Sequence, residues 1–260
     1  MVLAGLQKCS FVDYPGKLAA VVFTPGCNMN CFYCHNSQLI PETNSSPGVT
    51  RAEVLGLLER RRGLLDGLVV SGGEPTLHPG LEELLIDVKA MGFEVKLDTN
   101  GQRPEVIRRL LDLGLLDYIA MDIKASRDKY EQVTRSCVDF DAMDDSIDAI
   151  MNSGVDYEFR TTFVPQLSAA DIMRIAGRIR GARRYALQQY RKPAAGATPE
   201  AIFLPDPHPD EYIRSAGKLV APLVDQLDLR GLGQGTQRSA EPVRLAPRPT
   251  PAEPAPAAIQ

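Results

Sequence analysis

A chain of 260 residues, 44% hydrophobic and 24% charged, is long enough to close a sizeable core as one large domain or two small ones. Lys and Arg (29) fall short of Asp and Glu (33), and the formal net charge of −4 excludes a broad basic coat for nucleic acid or an anionic membrane. No apolar run approaches the roughly 18 to 20 residues that span a bilayer, and residues 1–8 lack a basic segment leading into an apolar one, so a cytoplasmic chain without membrane span or secretory leader is expected.

The first predicted strand is the apolar, β-branched run 18–24, ended by Pro25-Gly26. After a polar loop over 41–48, Thr50-Arg-Ala-Glu53 is a capping box that opens a helix reaching about Arg62. Residues 68–71 predict a strand. Leu81, Leu84, Leu85 and Val88, spaced i, i+3, i+4 and i+7, predict a helix stopped by Gly92. Residues 93–98 are the next strand, and Pro104 starts a helix that carries Ile107, Leu110 and Leu111 to Gly114. Strand 118–123 precedes a helix over 140–152, and strand 157–164 precedes a helix capped by Ser168 and stopped by Gly181. Residues 184–190 form the sixth strand.

Residues 193–209, rich in Ala and Pro, read as a connection; a helix over 212–224 and a short strand over 226–229 follow. From about Leu232 the composition turns to Pro, Ala, Arg, Thr and Glu, too poor in apolar surface to offset the entropy of ordering. The expected organisation is one α/β domain over 1–231 and a disordered tail over 232–260. Strict alternation of strand and helix argues for a parallel sheet with right-handed crossovers. Four consecutive strand ends carry polar groups: Ser71-Gly72-Gly73-Glu74, Asp98-Thr99-Asn100, Asp122 with Lys124, and Arg160. Polar residues at the C-terminal ends of parallel strands mark the functional face of such a sheet.

Three of the five cysteines crowd together as Cys27-x3-Cys31-x2-Cys34, the spacing of a metal or redox site in a reducing compartment. A closed structural zinc site takes four ligands, and His35, directly after Cys34, is awkwardly placed to be the fourth. A four-iron cluster usually takes four cysteines, so three leave one iron open to a substrate or cofactor. Cys9 and Cys137 read as small, part-buried hydrophobes.

Cys-x3-Cys-x-aromatic-Cys after a first strand, with Tyr33 as the aromatic, resembles the cluster motif of the radical S-adenosylmethionine (SAM) enzymes. Ser71-Gly72-Gly73-Glu74-Pro75 resembles the glycine-rich SAM motif of that superfamily. The resemblance implies a partial (β/α)6 barrel of parallel strands. Val12-Asp13-Tyr14-Pro15-Gly16, Cys34-His35-Asn36, Leu97-Asp98-Thr99-Asn100-Gly101 and Asp122-Ile123-Lys124 resemble the glycyl-radical-enzyme activases, and among them the anaerobic ribonucleoside-triphosphate reductase activating proteins. With no second cysteine cluster between Cys34 and Gly72, the chain resembles the single-cluster form.

What the resemblance implies is specific. Cys27, Cys31 and Cys34 each bind one iron of a [4Fe-4S] cluster, and the amino and carboxylate groups of SAM chelate the fourth iron. Gly72, Gly73 and Pro75 bring backbone close to SAM, Glu74 meets its ammonium, and Tyr33 lies near its adenine. Asp98, Thr99, Asn100, Asp122, Lys124 and Arg160 reach its ribose and carboxylate, and the carboxylate pair could also hold a small monovalent cation. Asp13 and His35 flank the open mouth, where a partner's glycine-bearing loop would arrive. Reductive cleavage of SAM then gives a 5'-deoxyadenosyl radical that takes hydrogen from one glycine α-carbon of a glycyl radical enzyme, anaerobic ribonucleotide reductase being the expected partner. A flavodoxin or ferredoxin is the expected electron donor. Competing readings are a radical SAM enzyme acting on a small molecule, such as a deazapurine synthase, and a non-enzymatic electron carrier or zinc protein.

Overall fold

The computed structural model describes residues 2–40, 48–192 and 205–233. In chain order its strands are β1 (Val2–Leu3), β2 (Gly5–Ser10), β3 (Ala19–Thr24), β4 (Val49–Thr50), β5 (Gly67–Gly72), β6 (Glu94–Thr99), β7 (Tyr118–Asp122), β8 (Asp156–Phe163), β9 (Arg184–Gln189) and β10 (Gln226–Arg230). The α-helices are α1 (Arg51–Arg60), α2 (Leu81–Ala90), α3 (Pro104–Asp112), α4 (Tyr130–Thr134), α5 (Phe140–Met151), α6 (Ala169–Arg178) and α7 (Asp210–Val220). The main sheet runs β10-β9-β8-β7-β6-β5-β3-β2, and every neighbouring pair from β3 to β10 is parallel. Each strand lies beside the previous one and the two end strands do not pair, so the sheet is an open, partial barrel of the expected kind.

Three features extend the expected pattern. The last strand, β10, joins the sheet as a seventh parallel member. A strand that the sequence reading did not anticipate, β2, covers the opposite edge by antiparallel pairing with β3. One-turn helix α4 fills the connection after β7. The connection 193–209 is described only from residue 205; residues 41–47 of the polar loop, and the expected disordered tail after Gly233, lie outside the described residues. No described helix is long and apolar enough to cross a membrane.

Local chemistry sets the helix starts. Thr50 Oγ1 accepts from Glu53 N and Glu53 Oε2 accepts from Thr50 N at 2.8 Å, closing the expected capping box of α1. Ser168 and Asp171 do the same for α6. The helices bury Leu84, Leu85 and Val88 of α2, Ile107 and Leu110 of α3, Ile147 and Ile150 of α5, and Ile172 and Ile175 of α6 in one core with Leu68, Val70, Leu97, Ile119, Phe159 and Leu187 of the sheet. The sheet's other face is different. Its apolar residues are few and mostly small, Ala19, Val21, Val69 and Ala120, closed at one end by Tyr14 and Tyr118. Small residues on the concave face of a barrel leave room for long side chains from neighbouring strands.

Candidate active site

The C-terminal ends of β3 and β5 to β8 surround one cavity, and the cysteine loop crosses it. Leaving β3, the chain turns at Gly26, in the left-handed region at φ +77°. Gly26 N donates to Leu39 O at 2.6 Å, and Gly26 O accepts from Glu74 N at 2.8 Å. A Cβ at Gly73 would stand 1.8 Å from Gly26 O, and one at Gly72, φ +120°, would stand 2.2 Å from Thr24 N. The glycine pair therefore serves a close approach between the turn after β5 and the start of the cysteine loop. The loop is anchored further by His78 Nε2, 2.5 Å from Pro25 O, by Asn100 Nδ2 donating to Asn28 Oδ1 at 2.7 Å, and by Asn30 N donating to Thr134 O at 3.0 Å. The last contact gives α4 its role, as a post for the far side of the loop.

Cys27, Cys31, Tyr33, Cys34 and His35 line the cavity from the loop; Gly72, Gly73 and Glu74 line it from the turn after β5. Asp98, Thr99, Asn100, Asp122, Lys124 and Arg160 complete its wall. Asn36 and Ser71 of the quoted motifs also face it, as do Met29, Ile40 and Thr162, which the sequence reading does not single out. Pro75 is buried beside the cavity and starts a short 3-10 turn without lining the wall.

Asp13 is not brought to this site. Ser10 pairs with Ala19, so the β2–β3 loop lies at the N-terminal end of β3, a strand length from the cysteines. There Asp13 accepts from Ser10 Oγ at 2.5 Å, and Tyr14 and Lys17 nearby bond Glu94 at the start of β6. The motif around Asp13 is a turn that closes the barrel floor.

Glu74 lines the cavity and is also held by its own neighbours. It is 1% exposed; Oε1 accepts from Thr76 N (3.1 Å), Thr76 Oγ1 (2.6 Å) and Thr99 Oγ1 (2.8 Å), while Oε2 accepts from Asn100 N (2.7 Å). Burial pushes its carboxyl pKa up, and these four donors pull against that shift. In this geometry Glu74 is a brace that locks the turn after β5 to the tip of β6.

The far wall is a ladder of charges. Lys96 Nζ is 2.5 Å from Asp98 Oδ1, and Arg160 reaches Asp98 Oδ1 at 3.3 Å through Nη1 and Asp122 Oδ1 at 2.8 Å through Nε. Lys124 Nζ stands 3.2 Å from Asp122 Oδ2. Burial works against ionising Asp122, but Arg160 and Lys124 hold its pKa down at about 2. Asp98 is held low by Arg160 and Lys96 against the same penalty. Lys96, 2% exposed, was missed because Val-Lys-Leu-Asp reads as a strand with one face in water. In a barrel that face is the interior. The expected small cation finds no open carboxylate pair here, since three cationic side chains already contact the two acids.

The three thiols suit a cluster. All are free and partly exposed on one cavity wall. Burial pushes the Cys27 thiol up to about 11, against a Met29 N–H contact at 3.4 Å to its Sγ, and also raises Cys31, against the pull of Lys124. Among the described residues no three His, Cys, Asp or Glu side chains close on a single metal ion. A cubane asks for something else: each thiolate on a different iron, spread around a shared space.

A family model for the radical SAM superfamily matches residues 21–179. A protein of Methanocaldococcus jannaschii, provisionally named a glycyl-radical enzyme activating enzyme, is 36% identical over 235 residues, covering 88% of this chain and 95% of its own. The pyruvate formate-lyase-activating enzyme of Clostridium pasteurianum is 34% identical over 194 residues, 68% of this chain and 76% of its own. Among solved structures, SuiB of Streptococcus suis bound to precursor peptide SuiA matches with a TM-score of 0.59 at 15% identity, over 82% of this chain; the chain spans 48% of SuiB. A spore photoproduct lyase variant matches with a TM-score of 0.55 at 13% identity, over 79% and 74% of the two chains. These two likenesses concern the fold alone. The superfamily match over more than half the chain, with a relative of that identity along nearly all of it, shows that the chain belongs to the radical SAM superfamily and, within it, to the glycyl-radical-enzyme activases, which use a [4Fe-4S] cluster and SAM.

Proposed function

We propose that this chain generates a glycyl radical on an anaerobic ribonucleotide reductase in the cytoplasm, with a flavodoxin or ferredoxin as its electron donor. The observation that carries the activity is the meeting of three free thiols with the glycine-rich turn and four charged side chains, Asp98, Asp122, Lys124 and Arg160, in one cavity. Cys27, Cys31 and Cys34 would hold the cluster. When bound, the cluster and SAM supply a 5'-deoxyadenosyl radical. The chain's residues then have to orient SAM and keep water out. Lys124 and Arg160 offer cationic hydrogen bonds to a carboxylate, Asp98 offers an oxygen to ribose hydroxyls, and the Tyr33 ring, 7% exposed, packs beside the cysteines. Tyr33 lines the cavity, and its ring is packed edge-on from behind by Phe32 and Tyr190, which fixes that part of the wall. With the cluster and SAM bound and one electron supplied by the donor, SAM would part into methionine and the 5'-deoxyadenosyl radical, which would take a hydrogen atom from a glycine α-carbon of the partner and leave 5'-deoxyadenosine and the partner's glycyl radical.

The choice of partner is supported by the sequence segments Cys34-His35-Asn36, Leu97 to Gly101 and Asp122-Ile123-Lys124, and by His35 lining the cavity next to Cys34. Anaerobic mixing of cluster-loaded protein, reductant, SAM and anaerobic ribonucleotide reductase, followed by electron paramagnetic resonance, tests it. The expected result is a glycine-centred doublet on the reductase. A radical on pyruvate formate-lyase instead would keep the activity and overturn the partner. Deuterium transfer from a small molecule into 5'-deoxyadenosine would overturn both.

A further inference from the structure

The carboxylates of Asp98 and Asp122 prompted the expectation of a small cation, and their surroundings do not fit one. Lys96 and Arg160 contact Asp98 Oδ1, while Arg160 and Lys124 take one oxygen each of Asp122. Three cationic groups meet two acids, an excess of one positive charge (3 − 2) in a setting where charges are weakly screened. An added alkali-metal ion would enlarge that excess, and only Asp98 Oδ2 lacks a side-chain donor among the described residues.

Lys96 is the member that reaches its acid from below. Its inward position on β6, two residues before Asp98, carries the ammonium up the barrel interior to that carboxylate. Its register partner Tyr118 sets a ring centroid 5.9 Å from Nζ, so the ammonium is held by an acid on one side and a π-face on the other. Those are the forces that would hold an alkali-metal ion at this point, and an ammonium matches K⁺ closely in charge and size. Tethered to the backbone, it needs no capture from solution.

We propose that the Lys96 ammonium occupies the place of a bound alkali-metal ion at Asp98, so that SAM binding by this chain does not depend on Na⁺ or K⁺. The proposal rests on the SAM-binding reading above. By holding Oδ1, Lys96 leaves Asp98 Oδ2 as the oxygen available to a ligand, which makes Lys96 a positioning residue.

Equilibrium dialysis of labelled SAM against cluster-loaded protein, without oxygen and at constant ionic strength, tests this. Tetramethylammonium, too large for the position, replaces K⁺ or Na⁺ in the control arm. The parent is expected to bind SAM equally in both arms. Lys96→Ser, which opens space at the ammonium's position, should bind about tenfold more weakly or worse in tetramethylammonium and recover when K⁺ or Na⁺ is supplied. Lys96→Met, whose stem fills that space, should be weakened and not recover. A parent whose affinity rises with K⁺ overturns the proposal, as does a Lys96→Ser protein that binds SAM normally without alkali metal or stays weak with it. Circular dichroism checks that both variants fold, and if neither does, the parent's response to K⁺ alone decides. A parent that binds no SAM in either arm would refute the functional reading instead.

Discussion

Two groups of cysteine are separated by position. Cys27, Cys31 and Cys34 line the cavity, whereas Cys9 and Cys137 are exposed elsewhere. Serine at any of the first three is expected to remove most bound iron and all SAM cleavage, and Cys9→Ser and Cys137→Ser to keep both, read by iron content and 5'-deoxyadenosine yield. Gly73→Ala should act on the same iron through geometry. Its new Cβ would meet backbone, Gly26 O at 1.8 Å and Gly26 C at 2.6 Å, which no rotamer change relieves, so the cysteine loop must shift and the cluster be lost. An unchanged iron content in Gly73→Ala would show that the loop tolerates the shift. The cysteine spacing and the glycine turn were legible in sequence because contiguous residues build them. Lys96 and Asp13 were not: each depends on which end and which face of a strand is the interior, and local sequence does not encode that choice.

At the scale of elements, α6 shows how a helix start can hold a strand tip. Asp171, 1% exposed, accepts from Ser168 N and Oγ, from Ser126 Oγ and from Lys129 Nζ. Burial opposes its ionisation, but Lys129, Ser168 and Ser126 hold its carboxyl well below the usual range. A depressed folded-state pKa adds stability that is present above the unfolded carboxylate's pKa, about 3.9, and is lost as pH falls through the folded value. Asp171→Asn is therefore expected to cost about 1 to 3 kcal/mol at neutral pH, with the gap to the parent closing in acid, measured by urea unfolding across pH. A gap independent of pH would mean that packing, not charge, is what the substitution removes. In the same helix Gly177 has nothing within 4 Å of an added Cβ and no left-handed φ. Gly177→Ala should thus stabilise by about 0.5 to 1 kcal/mol in the same assay. The capped helices were readable for the reason this pair illustrates: caps and apolar spacing are local. Strand β2, Gly-Leu-Gln-Lys-Cys-Ser, was not, since it has no β-branched residue and depends on β3 for its pairing.

The whole molecule divides its labour between the two faces of one sheet. The outer face and the helices supply the large apolar core, and the concave face carries Lys96, Asp98, Asp122, Arg160, Glu158 and Arg230 as ion pairs. On β8 the division is visible in alternation: Tyr157, Phe159 and Phe163 join the apolar core, while Glu158 and Arg160 carry ion pairs on the other face. Buried ion pairs contribute little net stability, because desolvation offsets their attraction, yet breaking one strands a charge. That asymmetry separates a structural from a functional reason for the ladder. Asp98→Leu alone leaves Lys96 buried without its acid and is expected to cost about 3 kcal/mol or more in urea unfolding. Lys96→Met with Asp98→Leu removes both charges and should return most of that loss, coming within about 1 kcal/mol of the parent. Its SAM affinity should stay abolished. If the double variant proves as unstable as Asp98→Leu, the ladder is needed to hold the barrel together; if it is stable but still binds SAM, the pair is dispensable to the site. The expected pattern, stability restored and binding lost, would mean that the barrel carries its interior charges for the ligand and relies on the outer core to remain folded around them.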